Sequence, residues 1–145
     1  MKLYLAGPMT GLPGYNFAEF NRVSKILRDA GHEVFNPAEI DELCGVRPDL
    51  PLDHPDQPKD WSVEIALEND IQAIFEAEGI VLLRGWRKSR GACLERTVAH
   101  FTGRKVFQFV EFWFMDGRPG GFELREFDTA FRPLVEFPPD RLASA

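Results

Sequence analysis

The chain has 145 residues, 44% of them hydrophobic and 28% charged, with a formal net charge of −6. That length suits one domain with a core large enough to need neither disulfide nor metal, and the hydrophobic share excludes a chain disordered throughout. The acid excess excludes a nucleic-acid polymer as main partner, because phosphate neutralisation needs a basic face.

Lys2 to Ala6 is a short apolar run stopped by Gly7-Pro8, the pattern of a buried parallel strand entering a loop. This run is too short for a signal peptide, and no stretch approaches the length that crosses a bilayer, so a cytoplasmic protein without a membrane partner is expected. Past the loop of Gly11, Pro13 and Gly14, Asn16 and Glu19 have the spacing of an N-cap and its capping box. Phe17, Phe20, Val23, Ile26 and Leu27 recur at helical spacing to about Ala30, and Gly31 stands where helices end. Glu33 to Phe35 predicts a second strand, closed by Asn36-Pro37. From Asp41 to Asp60 the chain is rich in Pro and Asp and predicts an irregular surface excursion, the kind of loop that serves as a lid or binding segment.

Trp61 to Glu76 resumes a helical pattern through Val63, Ile65, Ala66, Ile71, Ile74 and Phe75. Gly79 to Leu83 predicts a third strand, Gly85 to Arg90 a loop, Gly91 to Phe101 a helix and Val106 to Val110 a fourth strand. This alternation predicts an α/β fold: a three-layer, doubly wound parallel sheet of the flavodoxin or Rossmann kind with four to five strands. Ligands in such sheets bind beyond the carboxyl ends of the strands, which selects residues 7–15, the segment from Asn36 onward and residues 84–91. The reading places one domain over residues 1–110 and an irregular C-terminal extension over 111–145, packed on the core or on a second subunit. Within it Phe112, Trp113 and Phe114 need burial, Gly117 to Gly121 suits a turn, Phe122 to Phe127 an extra strand, and Pro138 to Ala145 a frayed end.

The run Ser89-Arg90-Gly91-Ala92-Cys93-Leu94-Glu95 starts a helix directly after a strand and loop. Unpaired N–H groups at such a start, with the Ser89 hydroxyl and Arg90 beside them, form an anion site, and Arg84, Arg87 and Lys88 add cations nearby. Glu95 lies one turn further in on the face of Gly91, within reach of a sugar whose 5′ end is held at the helix start. The same residues also read as simple helix capping, a solvated basic loop and an exposed Glu95 paired with Arg96. Asp70 sits among Ile65, Ala66, Ile71 and Ile74, where an acid has a raised pKa suited to general acid work or is simply a rim residue. The Tyr4 phenol, just before Gly7-Pro8-Met9, either orients a carboxylate or is a core aromatic. His32, His54 and His100 have no metal-ligand spacing, Cys44 and Cys93 are too few and too far apart for a metal site, and neither dinucleotide nor Walker loops are present.

Taken together, Tyr4 to Gly11, Gly31 to Pro37, Asp70 and Gly85-Trp86-x-x-Ser89-x-Gly91-Ala92-x-x-Glu95 resemble the DUF4406 domains, which are similar to nucleoside 2-deoxyribosyltransferases and 2′-deoxynucleoside 5′-phosphate N-hydrolases. The resemblance covers about Met1 to Val110. It implies that Glu95 is the nucleophile that forms a glycosyl-enzyme intermediate, that Asp70 assists departure of the base and that Tyr4 orients Glu95. It further implies substrate contacts from Gly7, Pro8 and Met9, a 5′-phosphate held by Ser89, Arg90 and Gly91, no cofactor, and a homodimer or higher homo-oligomer. The expected activity is cleavage or transfer of the N-glycosidic bond of a 2′-deoxynucleoside or its 5′-monophosphate. A non-catalytic nucleotide-binding module and an interaction protein with a residual pocket are the alternatives.

Overall fold

The structure, a computed structural model, describes residues 1–127. The strands are β1 (Lys2–Ala6), β2 (Glu33–Phe35), β3 (Gly79–Leu82), β4 (Lys105–Trp113) and β5 (Pro119–Glu126); the α-helices are α1 (Phe17–Asp29), α2 (Pro37–Leu43), α3 (Val63–Glu76) and α4 (Arg90–Phe101). They form one sheet in the order β2-β1-β3-β4-β5, with the first four strands parallel and β5 antiparallel to β4. The order reverses between β1 and β3, the position beyond whose strand ends folds of this kind bind ligands.

Alternation along β1 sorts its side chains between two cores. Leu3 and Leu5 join Phe17, Phe20, Val23 and Leu27 of α1, while Tyr4 and Ala6 join Ala73 and Ile74 of α3 and Ala92 and Ala99 of α4. All four β1 residues from Leu3 to Ala6 are buried, as a central strand covered on both faces requires. The expected three-layer, doubly wound architecture is therefore present, with five strands.

Several local expectations change. Asn16 stands at the start of α1 but is left-handed (φ 60°), and its side chain donates to the Pro8 carbonyl (2.9 Å) instead of capping the helix; Glu19 pairs with Arg22, so no capping box forms. The excursion after Asn36 begins with α2, which Asn36 caps by accepting from the Ala38 N–H, with Pro37 in the first turn. The rest of it is organised around buried Gln57, whose amide donates to the Arg47, Leu50 and Pro51 carbonyls and accepts from the Arg47 N–H. The fourth strand runs beyond Val110 to Trp113, and Phe112, Trp113 and Phe114 are about half exposed rather than packed on the core. The extra strand expected over Phe122 to Phe127 is β5, which begins at Pro119, inside the stretch expected to be a turn. The reading of Pro138 to Ala145 lies outside the described residues. No helix among the described residues is long and apolar enough to cross a membrane.

Candidate active site

Three elements bring Tyr4, Asp70 and Glu95 to one place on the α3/α4 side of the sheet. Tyr4 projects from β1 by strand alternation and is fully buried. Asp70 shares a face of α3 with Ala73, Ile74 and Ala77, three, four and seven residues on, all of which belong to the core on that side. Glu95 shares the inward face of α4 with Ala92 and Ala99, whose small side chains let the helix lie close to the sheet. The carboxyl is thereby buried to 8% exposure, which overturns the reading of Glu95 as an exposed residue paired with Arg96.

The charges in this cluster work against one another. Burial raises the Glu95 pKa well above the ordinary carboxylate value and Asp70 raises it further, against a lowering by the Tyr4 hydroxyl. Burial also pushes Asp70 up to about 7, with a further rise from Asp41 on α2. Tyr4 is held protonated by its own burial and by the nearby Glu95 and Asp70 carboxyls. These groups lie close enough to polarise one another. Yet the Tyr4 hydroxyl and Glu95 Oε2 have no partner at hydrogen-bond distance among the described residues. Buried polar atoms without partners are uncommon and call for an explanation, which a bound ligand's polar groups would supply.

The loops around the cluster are tightly constrained. A Cβ on Gly7 would stand 2.9 Å from Leu83 Cβ, so only glycine lets the ends of β1 and β3 approach this closely. Gly85 has φ +85° and borders Pro8, so the loops after β1 and β3 meet there. Met9 packs on the α1 side of the sheet. Tyr15 (φ 52°) and Asn16 are both left-handed, a strained pairing for residues with side chains. It is held by the Tyr15 hydroxyl, which donates to the Leu50 carbonyl at 2.5 Å, and by Asn16 on Pro8, so the first loop and the long excursion are tied together.

At the start of α4, the Ser89 hydroxyl accepts from the Ala92 N–H at 3.2 Å and caps the helix. Gly91 borders the carboxyl: a Cβ there would lie 3.6 Å from Glu95 Oε1 and 3.9 Å from Ser89 Oγ. Helix start and carboxylate thus share one space, as the spacing predicts. Arg84, Arg87, Lys88 and Arg90 are all exposed, and Arg87 lies 4.6 Å over the Trp86 ring.

Asp41 was not singled out from the sequence. It is half-buried, accepts from the Trp61 indole N–H (3.4 Å), and burial raises its pKa. The signal was Asn36-Pro37, an N-cap followed by proline in the first turn, which opens the short helix that carries it.

The fold is similar to that of a 2-deoxyribosyltransferase from the psychrotolerant bacterium Bacillus psychrosaccharolyticus, with TM-score 0.54 and 24% sequence identity over 74% of this chain and 71% of that one. No curated protein sequence matches the chain. A family model described as a domain of unknown function, DUF4406, matches residues 1–108. Extending over most of its length, that match shows that the chain belongs to the DUF4406 family.

Proposed function

We propose that this protein cleaves or transfers the N-glycosidic bond of a 2′-deoxynucleoside or its 5′-monophosphate, with Glu95 as nucleophile. The observation that carries the reading is the convergence of two buried carboxyls with raised pKa values on one buried phenol. The similarity of the fold to a 2-deoxyribosyltransferase supports the substrate class.

The chemistry needs one carboxylate and one carboxylic acid at once, and a coupled pair provides both while it holds a single proton. Glu95 as the anion attacks the anomeric carbon, the C–N bond breaks, and the base leaves with the proton from Asp70. The Tyr4 hydroxyl, close to both carboxyls, orients Glu95 for attack. Water or a second base then attacks the same carbon, releases the Glu95 carboxylate and returns a proton to Asp70. A 2-deoxy sugar lacks the electron-withdrawing 2′-hydroxyl, so its oxocarbenium-like transition state forms without a metal or other cofactor.

In this reading Gly7, Pro8 and Met9, in the loop at the end of β1, contact the substrate. The N–H groups at Gly91, with Ser89 and Arg90, receive a 5′-phosphate. A homodimer or higher homo-oligomer is part of the proposal, with the aromatic end of the β4–β5 hairpin as the contact. The test is chromatography of nucleobases released from the four deoxynucleosides and their 5′-monophosphates, with Glu95→Ala as control. Release by the wild type that vanishes in the variant is expected, and its dependence on the phosphate separates the two substrate forms. Absence of release from substrates that the wild type demonstrably binds overturns the catalytic reading and leaves a nucleotide-binding module.

A further inference from the structure

Charge is unevenly distributed in this acidic chain. Between residues 84 and 105 stand seven Lys and Arg against one acid, the buried Glu95, although the whole chain has a net charge of −6. Elsewhere among the described residues, Lys2, Arg22, Lys25, Arg28, Arg47, Arg118 and Arg125 each pair with a carboxylate. Among the described residues none of the seven cations in the 84–105 stretch does so. This concentration of uncompensated charge includes residues that the proposed reaction does not use.

Arg96 is the centre of it. It follows Glu95 in the chain but lies about 100° further round α4, on the flank facing β4 and β5 rather than the sheet core. Its guanidinium is 5.3 Å from the centre of the Trp86 ring and 5.5 Å from that of Phe127, and Arg87 lies over the same two rings at 4.6 and 5.9 Å. Arg96 Nε is buried without a hydrogen-bond partner among the described residues. Partial burial disfavours the charge on Arg96, and with no carboxylate between them among the described residues the two guanidiniums on this aromatic pair also repel each other. Arg96 opens onto a cleft of about 170 Å³ lined also by His100, Arg104, Lys105, Glu126 and Phe127. Arg104 is occupied, donating to the Ala77 and Phe75 carbonyls at the end of α3; Lys105 is exposed, and Glu126 is the one acid among the described residues of the lining.

We propose that this cleft is a second anion site, separate from the Glu95 cluster, that takes the phosphoryl group of a small phosphorylated ligand on Arg96 and Lys105. Arginine presents a fixed fork of donors that matches phosphate oxygens, and its stacking on Trp86 and Phe127 holds that fork in place before the ligand arrives. The indole itself is only 2% exposed, so it offers no platform on which successive bases of a strand would stack. A small ligand therefore fits where a nucleic-acid strand does not. The site uses none of the residues assigned to glycosidic chemistry, so either proposal can fail without the other.

Amide chemical-shift mapping of the full chain, titrated separately with inorganic pyrophosphate and with a nucleoside diphosphate at constant ionic strength, tests it. Saturable shifts at Gly103, Lys105, Val106 and Phe127 are expected, with affinity lowered about tenfold or more in both Arg96→Gln and Lys105→Gln. Equal affinity for the two probes assigns the site to the phosphoryl group alone, and tighter diphosphate binding through the same amides assigns it to a nucleotide. Lys105 is exposed, so its variant tests the site even if Arg96→Gln disturbs packing around Trp86. Shifts confined to residues 7–9 and 89–92, no saturable shift with either probe, or unchanged affinity in Lys105→Gln overturns the proposal.

Discussion

Asp70 and Glu95 are carboxyls kept away from water, and their protons are bound more tightly in the folded chain than in the unfolded one. Their contribution to stability is therefore complete below the unfolded carboxylate range and declines as pH rises, for Asp70 through about 7. Asp70→Asn removes a charge that the fold holds at a cost and should stabilise the protein at pH 8 by roughly 2–4 kcal/mol, with little gain at pH 4. Thermal unfolding at the two pH values measures this, and an equal gain at both contradicts the burial of the acid. The same variant should slow base release by about 10²–10⁴-fold, the usual worth of a general acid. Tyr4→Phe separates orientation from packing, because the hydroxyl it removes is near both carboxyls but has no partner at hydrogen-bond distance among the described residues. Unchanged melting with a kcat lower by about 10–100-fold, the worth of one hydrogen bond to a charged group, is expected. A loss of stability with intact kcat would make Tyr4 a core aromatic only.

At the scale of elements, the long connection between α2 and α3 behaves as structure rather than slack. Gln57 is buried and forms four hydrogen bonds to the backbone of residues 47–51, and the Tyr15 hydroxyl fastens the same stretch to the loop after β1. Asp41 and Trp61, at the two ends of this connection, meet beside Asp70. Disturbing the connection therefore reaches the acid that the reaction needs. Gln57→Ala should cost about 1–3 kcal/mol through the carbonyls it leaves unpaired. Hydrogen exchange of residues 46–57 should accelerate while β1 and β3 stay protected. Unchanged exchange in that stretch would show that Gln57 does not organise it.

At the scale of the molecule, the β4–β5 hairpin carries Phe112, Trp113, Phe114 and Met115 outward, all of them substantially exposed. Contiguous exposed apolar side chains of this size mark an interaction surface. The proposed homo-oligomer places a second copy there. Sedimentation of the wild type should give a dimer or larger species, and Trp113→Ser with Phe114→Ser should reduce it to a monomer of unchanged melting temperature. A wild type that sediments as a monomer at tens of micromolar excludes that contact.

The central elements were legible because their signals are local. Apolar runs at Lys2–Ala6 and Gly79–Leu82, and helical spacing from Phe17 and from Val63, hold whatever surrounds them. Tyr4, Asp70 and Glu95 are each legible as candidates in the local sequence, and the family resemblance supplies their roles, although spacing alone leaves the bland reading of each open. The β4–β5 pairing was only half visible, since an antiparallel edge strand depends on its neighbour rather than on its own pattern. The Asn16 capping box failed for a similar reason: a distant carbonyl, Pro8, took the side chain that local rules assign to the helix. Composition and periodicity by themselves determined an α/β chain with helices on both faces of a parallel sheet. Tertiary structure alone decided that Glu95 is buried, that Asp41 adds its charge to Asp70, and that Arg87 and Arg96 share one aromatic pair. Burial and the field of a neighbour belong to positions in space, and residues far apart in the chain acquire them only when the sheet brings them together.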